Sequence, residues 1–334
     1  MAEIDRDTRL AHALDTGALA LPETGSLVLF RARPEDGLAS LPRARLTVVQ
    51  GNKVVHDQLA ARGFTVATEA GQGHAGAIVF LPRAKAEARA LIAAACAAVV
   101  PGGLVVVDGF KTDGIDSLLK DLRGRVALSE PVAKAHGKLA HFAATDRLSD
   151  WAAQPTRIEG DFVTRPGVFS ADGPDPASVL LAGVLPDYLP GYTVDLGAGW
   201  GYLGRAVLAR KGEKRLDLVE AEADALACAR ENCADPRARF VWADATQFRA
   251  DGHADHVVMN PPFHTTRKAD PALGAEFIAT AARILSPEGD LWMVANRHLP
   301  YDAVLRQHFR EVEDLGGNGT FRLTHARRPV KRRL

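Results

Sequence analysis

The sequence predicts an α/β chain of two related halves, each a parallel β-sheet joined by crossover helices. Three observations predict it. Short apolar, β-rich runs alternate with longer helical segments, the order that builds parallel sheets. A strand, x-Pro, helix, Pro-containing turn and strand recur in both halves. A glycine-rich turn between a strand and a helix occurs in the second half alone. With 334 residues, and roughly 100–200 residues per domain, two domains are expected.

In the first half, Ser26–Phe30 and Leu46–Gln50 are short apolar strands, Val54–Arg62 has helical spacing, and Ala77–Leu81 is a buried-type strand. Ala84–Val100 reads as an Ala-rich helix ended by Pro101-Gly102-Gly103, with Leu104–Asp108 the strand that follows. In the second half, Ser178–Leu189 reads as a helix and Thr193–Leu196 as a strand, and a Gly-rich turn leads into a helix at Tyr202–Lys211. Arg215–Glu220 is a strand, Ala223–Asn232 a helix, and Phe240–Trp242 and His256–Asn260 are strands. Helix Gly274–Leu285, the turn Ser286–Gly289 and strand Leu291–Val294 follow. Glu311–Leu315 and Thr320–His325 form a terminal antiparallel pair around Gly316-Gly317-Asn318-Gly319. Pro82 matches Pro262 and Pro101 matches Pro287, at offsets of 180 and 186 residues, which favours duplication over convergence of two ordinary α/β units. Ser149–Pro166, with Trp151 and Pro155, is the expected linker, giving domains 1–150 and 151–334.

Composition narrows the function classes. Hydrophobic residues make 47% and charged residues 25% of the chain, ordinary for a globular protein and unlike a disordered, collagen-like or disulfide-scaffold chain. The Ala-rich stretch Ala90–Val100 is too short for a membrane span, and the charged start MAEIDRDTRL lacks a secretory apolar core. Three cysteines, Cys96, Cys228 and Cys233, point to a reducing, cytoplasmic setting. Lys plus Arg equal Asp plus Glu at 41 each, which disfavours coating nucleic acid by bulk charge. After Asp314, however, Arg322, Arg327, Arg328, Lys331, Arg332 and Arg333 stand without an acid among them. That stretch reads either as a solvated basic tail or as a local contact with RNA phosphate.

The chemistry centres on the run Asp195-Leu196-Gly197-Ala198-Gly199-Trp200-Gly201. Glycines at alternate positions let the backbone turn tightly beneath a ligand before the next helix. Dinucleotide dehydrogenases have similar loops. An acid before the first glycine, together with the terminal antiparallel pair, points instead to a cationic sulfonium, S-adenosylmethionine (SAM). Glu220 ends the next strand, where a carboxylate can accept both ribose hydroxyls. Asp244, followed by Ala245, stands after the third strand, placed to accept from an adenine amine or to serve as a turn aspartate.

The fourth strand ends in Asn260-Pro261-Pro262-Phe263-His264. Consecutive prolines fix a rigid loop and aim the Asn260 amide oxygen and the Pro261 carbonyl at the ligand edge of the sheet. A planar exocyclic amine is a poor nucleophile, because its lone pair is delocalised. Two carbonyl-type acceptors on its hydrogens favour pyramidal geometry and accommodate the charge that grows as a methyl group arrives. Phe263 supplies a face for stacking a base. No metal is required, and Cys228 and Cys233 read as buried thiols.

The sequence resembles the RsmC-type family of bacterial 16S ribosomal RNA guanine-N2 methyltransferases. The resemblance rests on Pro166-Gly167-Val168-Phe169-Ser170 with Asp172-Gly173, the Gly loop, Asn260–His264, and Val294-Ala295-Asn296-Arg297 with Leu299-Pro300-Tyr301. It is strongest over Pro166–Arg327. It is looser in the first half, where Ala133–Lys138 carries it. The resemblance implies two Rossmann-like class I methyltransferase domains, the first degenerate and a candidate for RNA recognition through Lys134 and Lys138. Phe80-Leu81-Pro82-Arg83 stands there in place of the Asn-Pro-Pro-Phe motif. It also implies SAM as cofactor, ribosomal RNA within the 30S subunit or an assembly intermediate as partner, and Phe169 and Ser170 at the border of the cofactor pocket. The duplication lets a single chain do what a dimer would otherwise do, so a monomer is expected. Alternatives remain open at this stage: a guanine of 23S RNA, adenine, a protein glutamine, a SAM-holding assembly factor, or, more distantly, a nicotinamide oxidoreductase.

Overall fold

Apolar runs become strands covered on both faces, as parallel sheets require. In the computed structural model, which describes residues 3–262 and 271–330, the chain divides into two units, Met1–Pro155 and Thr156–Leu334. The first unit runs α1 (Glu3–Asp15), β1 (Leu27–Phe30), β2 (Leu46–Val49), α2 (Lys53–Ala61), β3 (Thr65–Ala67), β4 (His74–Phe80), α3 (Lys85–Ala98), β5 (Val99–Phe110), α4 (Ile115–Arg123), β6 (Val132–Lys134) and β7 (Gly137–Ala143). Its sheet has the order β3-β2-β1-β4-β5-β7-β6.

The second unit opens with the hairpin β8 (Thr156–Ile158) and β9 (Phe162–Thr164). It continues through α5 (Pro176–Val184), β10 (Gly191–Leu196), α6 (Tyr202–Leu208), β11 (Lys214–Glu220), α7 (Ala223–Asn232), β12 (Ala238–Trp242), β13 (Ala254–Met259), α8 (Pro271–Ile284), β14 (Leu285–Asn296), α9 (Tyr301–His308), β15 (Phe309–Gly317) and β16 (Phe321–Pro329). Its sheet order is β12-β11-β10-β13-β14-β16-β15, strand for strand the order of the first.

The repeat extends to an irregularity. Pairing of β4 with β5 jumps from His74↔Val99 to Gly76↔Leu104, and pairing of β13 with β14 jumps from Ala254↔Leu285 to His256↔Asp290. The turns at Pro101 and Pro287 are therefore bulged-out segments within long strands, and α3 stops at Ala98 rather than at Val100. Two topologies and two matching bulges support duplication.

Several elements differ from expectation. Helix α5 starts two residues before Ser178 and stops at Val184, because Leu185 precedes Pro186 and is extended. Helix α6 ends at Leu208, before Lys211. Helices α1, α4 and α9, and the pair β6–β7, were not expected from the sequence. The β6–β7 turn places Ala135 and His136, not glycine, at positive φ, so the usual turn signal is missing. Trp151 is buried in the first unit's core, with the Arg89 and Arg125 guanidinium groups over its ring, while the hairpin starting at Thr156 belongs to the second unit.

By register, Phe80 of the first unit stands where Asn260 stands in the second. The Arg6 guanidinium lies 4.7 Å from its ring centroid. Arg9, fully buried, donates from Nε and Nη2 to the two oxygens of Asp108 at 2.7 Å each and from Nη1 to the Lys134 and Ala135 carbonyls. Arg6 in turn reaches Asp36 at 3.2 Å. Asp108→Ala leaves Arg9 charged and unpaired in the interior, and is expected to destabilise the chain by about 3–5 kcal/mol. Arg9→Met combined with Asp108→Leu recovers most of that loss in urea unfolding.

Candidate active site

The glycine loop is tied to the sheet where β10 ends. Gly197 N and Ala198 N both donate to the Val219 carbonyl, at 2.9 and 3.0 Å. Gly199 (φ 54°) and Gly201 (φ 91°) hold left-handed backbone for different reasons. A Cβ on Gly199 would meet nothing within 4 Å, so this backbone faces open space. A Cβ on Gly201 would lie 2.9 Å from Cys233 Sγ and 3.3 Å from Ala229, so Gly201 serves close packing of α6 on α7. Asn232 fixes the loop from beneath, donating to the carbonyls of Trp200 and Val163.

The acids fall into two groups. Glu220 reaches the loop: its Oε2 accepts from Gly199 N at 2.8 Å and its Oε1 from Glu222 N at 2.7 Å. Each oxygen keeps a lone pair, so a vicinal diol can still bind there. Asp195 does not wall the cleft. Its carboxylate is wholly buried against Gly204 of α6, and burial, then the Glu220 charge, pushes its pKa up to about 8. Asp244, one strand further, accepts at Oδ1 from Thr246 N and Oγ1, a turn arrangement that leaves Oδ2 available. Ala245 is buried in the second unit's core.

Asn260 borders the same cleft as Phe169, Ser170, Asp175, Gly199 and Trp200. Its Nδ2 donates to Asp175 Oδ2 at 2.9 Å and to Ser178 Oγ at 3.0 Å. Asp175 is also the N-cap of α5, its Oδ2 accepting from Ser178 N, with Pro176 at the first helical position. The two bonds fix the orientation of the amide at the border of the cleft. Sequence reading missed Asp175 and Ser178, although Asp-Pro-Ala-Ser is a readable helix start. Pro261 is buried and Pro262 exposed; Phe263 and His264 lie outside the described residues.

Phe169 is 59% exposed at the cleft. Its backbone is anchored, since Trp200 Nε1 donates to its carbonyl at 2.8 Å and Ser170 (φ 52°) bonds through Oγ to the Gly173 carbonyl. Trp200 itself is buried against Phe162 and Tyr202, and so holds the Pro166–Ser170 segment to the loop.

Other candidates are settled by their partners. Burial pushes the thiols of Cys228 and Cys233 up to about 11 and about 12. Arg322 pairs with Asp302 and Asp314, Arg327 with Glu311, and Arg328 with Glu288 and Glu311. These three belong to β16 and are charge-compensated, while Lys331, Arg332 and Arg333 lie outside the described residues. Lys138 pairs with Asp116. Among the described residues no helix is long and apolar enough to cross a membrane, and no cluster of His, Cys, Asp and Glu could hold a metal.

The raised Asp195 pKa makes stability depend on pH. Above 3.8 the unfolded chain releases this proton while the folded chain keeps it, so its stabilising contribution, complete at low pH, is lost as pH rises towards about 8. Asp195→Asn is expected to show a smaller fall in thermal unfolding midpoint than the wild type between about pH 5 and pH 8.

The family model "Methyltransferase small domain" matches residues 159–325. Ribosomal RNA small subunit methyltransferase C of Shewanella baltica is 30% identical over 257 residues, 74% of this chain and 74% of that one. The protein of the same name from Aeromonas hydrophila is 29% identical over 257 residues, 74% of this chain and 75% of its own. A solved structure, the T. thermophilus 16S rRNA N2 methyltransferase (RsmC) in complex with AdoMet and guanosine, matches with a TM-score of 0.77 at 22% identity. It covers 95% of this chain and 91% of that one, a likeness of fold. On the domain it carries and the relatives it matches over most of its length, the chain belongs to the ribosomal RNA small subunit methyltransferase C family and is a methyltransferase.

Proposed function

We propose that the chain transfers a methyl group from S-adenosylmethionine to the exocyclic 2-amino group of a guanine in 16S ribosomal RNA. The observation that carries this reading is the fixed amide of Asn260, whose nitrogen is held by Asp175 and Ser178 at the border of the cleft. The names of the curated relatives and the guanosine in the RsmC complex support the substrate. Bound over the glycine loop, SAM supplies a methyl group activated by a sulfonium.

The chain's residues do the rest. The open backbone at Gly199 admits the cofactor, Glu220 accepts its ribose hydroxyls, and Asp244 Oδ2 accepts from its adenine amine. Phe169 and Ser170 border it. Asn260 Oδ1 and the Pro261 carbonyl accept the two hydrogens of the guanine amine, stabilising positive charge as it grows on nitrogen. Phe263, next after the proline pair, stacks the extruded base.

Extrusion costs a few kcal/mol, and one aromatic stack returns about 1–3 kcal/mol. Contacts outside the pocket are therefore required, and the first unit, with Lys134, and the terminal Lys331, Arg332 and Arg333 are the groups to supply them. The substrate is the 30S subunit or an assembly intermediate, and the enzyme acts as a monomer in the cytoplasm.

The decisive experiment is methyl transfer from labelled SAM to 30S subunits, 50S subunits and protein-free rRNA, with nucleoside analysis. N2-methylguanosine in small-subunit RNA is the expected product. Label in 23S RNA, or in methyladenosine, overturns the substrate assignment. Asn260→Ala is expected to lower kcat by roughly 10²–10³, with SAM affinity little changed. Near-full turnover by this variant removes Asn260 from the mechanism. Asp175→Ala is expected to lower kcat by about tenfold or more, because the amide it orients is freed, and to cost about 1 kcal/mol of stability as a lost helix cap. Both are read from single-turnover rates and thermal unfolding.

A further inference from the structure

The residues assigned to the cofactor follow the strand order of the second sheet. Along β12-β11-β10-β13, Asp244 lies just past β12, Glu220 ends β11, the glycine loop follows β10 and Asn260 follows β13. The function proposed above places the adenine amine at Asp244 and the ribose hydroxyls at Glu220. On that reading, the part of SAM beyond the ribose runs over the glycine loop towards Asn260. Its methionine end then lies in the cleft that Gly197, Ala198 and Gly199 share with Asn260 and Asp175.

Among the described residues that line this cleft, Asp175 is the only one with a charged side chain; the rest offer apolar, hydroxyl, amide or backbone groups. Both hydrogen bonds that its carboxylate accepts, from Ser178 N and Asn260 Nδ2 at 2.9 Å each, end on Oδ2. Its Oδ1 accepts from none of the described residues, and none of their cationic side chains pairs with it. The carboxylate is thus anchored through one oxygen and keeps the other for a donor that the described residues do not supply.

The geometry points to Asp175 as a cofactor-binding residue as well as a positioning one, its Oδ1 accepting from the α-ammonium group of SAM. The inference rests on the function proposed above. SAM carries two cations, a sulfonium and an ammonium. Only the ammonium has N–H groups to donate, and hydrogen bonds between ionised partners are among the strong ones. An anion set against the sulfonium would stabilise a charge that disappears as the methyl group leaves, favouring the ground state over the transition state. The ammonium keeps its charge throughout, so gripping it adds affinity without opposing transfer. One oxygen of Asp175 therefore serves the reaction through Asn260, and the other holds the cofactor.

The test is calorimetric binding, without RNA, of four ligands: SAM, S-adenosylhomocysteine, its analogue lacking only the α-amino group, and 5′-methylthioadenosine. S-adenosylhomocysteine keeps the ammonium without the sulfonium, and the last two have neither. The wild-type chain is expected to bind S-adenosylhomocysteine about tenfold or more tighter than the deaminated analogue. Asp175→Asn and Asp175→Ser both retain a helix-capping residue without the charge. Each is expected to weaken SAM and S-adenosylhomocysteine by about tenfold or more, with the other two ligands changed less than about twofold. A loss confined to SAM assigns the carboxylate to the sulfonium and overturns the inference. An equal loss for all four ligands, or no loss for S-adenosylhomocysteine, overturns it as well. Should neither variant fold, the wild-type comparison decides, and equal binding of S-adenosylhomocysteine and its deaminated analogue overturns it. Failure of the underlying placement reads differently: Glu220→Gln then leaves 5′-methylthioadenosine binding unchanged.

Discussion

One carboxylate oxygen carries much of the site. Asp175 Oδ2 accepts from the Ser178 backbone, starting helix α5, and from the Asn260 side chain, fixing the amide at the end of β13. A side-chain amide has two nearly isosteric ends. An anionic partner on one of them removes the ambiguity, because a carboxylate cannot accept from an amide oxygen. The same oxygen thus ties the segment before the first strand of the sheet to the fourth parallel strand. On the other side of the cleft, Trp200 and Asn232 hold the Pro166–Ser170 segment and the glycine loop together. The cleft is built from loops, yet its backbone is pinned from below by buried side chains.

Much of this was legible in the sequence. Continuous apolar runs, glycine spacing and the proline pair gave the second unit's strands and the edge on which ligand residues gather. The burial of Asp195 was not legible, because motif position does not say which face of the strand a side chain takes. Alternation along β10 turns it with Thr193 towards α6, where its carboxylate is buried. The pairing of Arg327 and Arg328 was equally hidden, since Glu311 and Glu288 lie on other strands or turns and become neighbours only through the antiparallel register. Asp175 was the readable omission, because its Asp-Pro-x-Ser spacing is local.

The duplication shows how one topology sustains two chemistries of interior. Both sheets have the same order and the same interrupted pairing beside the fourth strand. In the second unit, an amide at the strand end is met by a helix cap. In the first, a phenyl ring at the equivalent position is met by Arg6 from α1, and the adjacent Arg9 is neutralised by Asp108. Ion pairs and aromatic contacts fill the space beside that strand end.

That arrangement has a consequence for how the two strand ends could be exchanged. With the Arg6 guanidinium over Phe80, a single substitution at that position would not reproduce the arrangement at Asn260. An asparagine at position 80 would face cations, with no acidic helix cap to orient it, and removing Arg6 would leave Asp36 without its ion pair. The interior of the first unit is thus held by charges that depend on one another, Arg6 serving both Asp36 and Asp108.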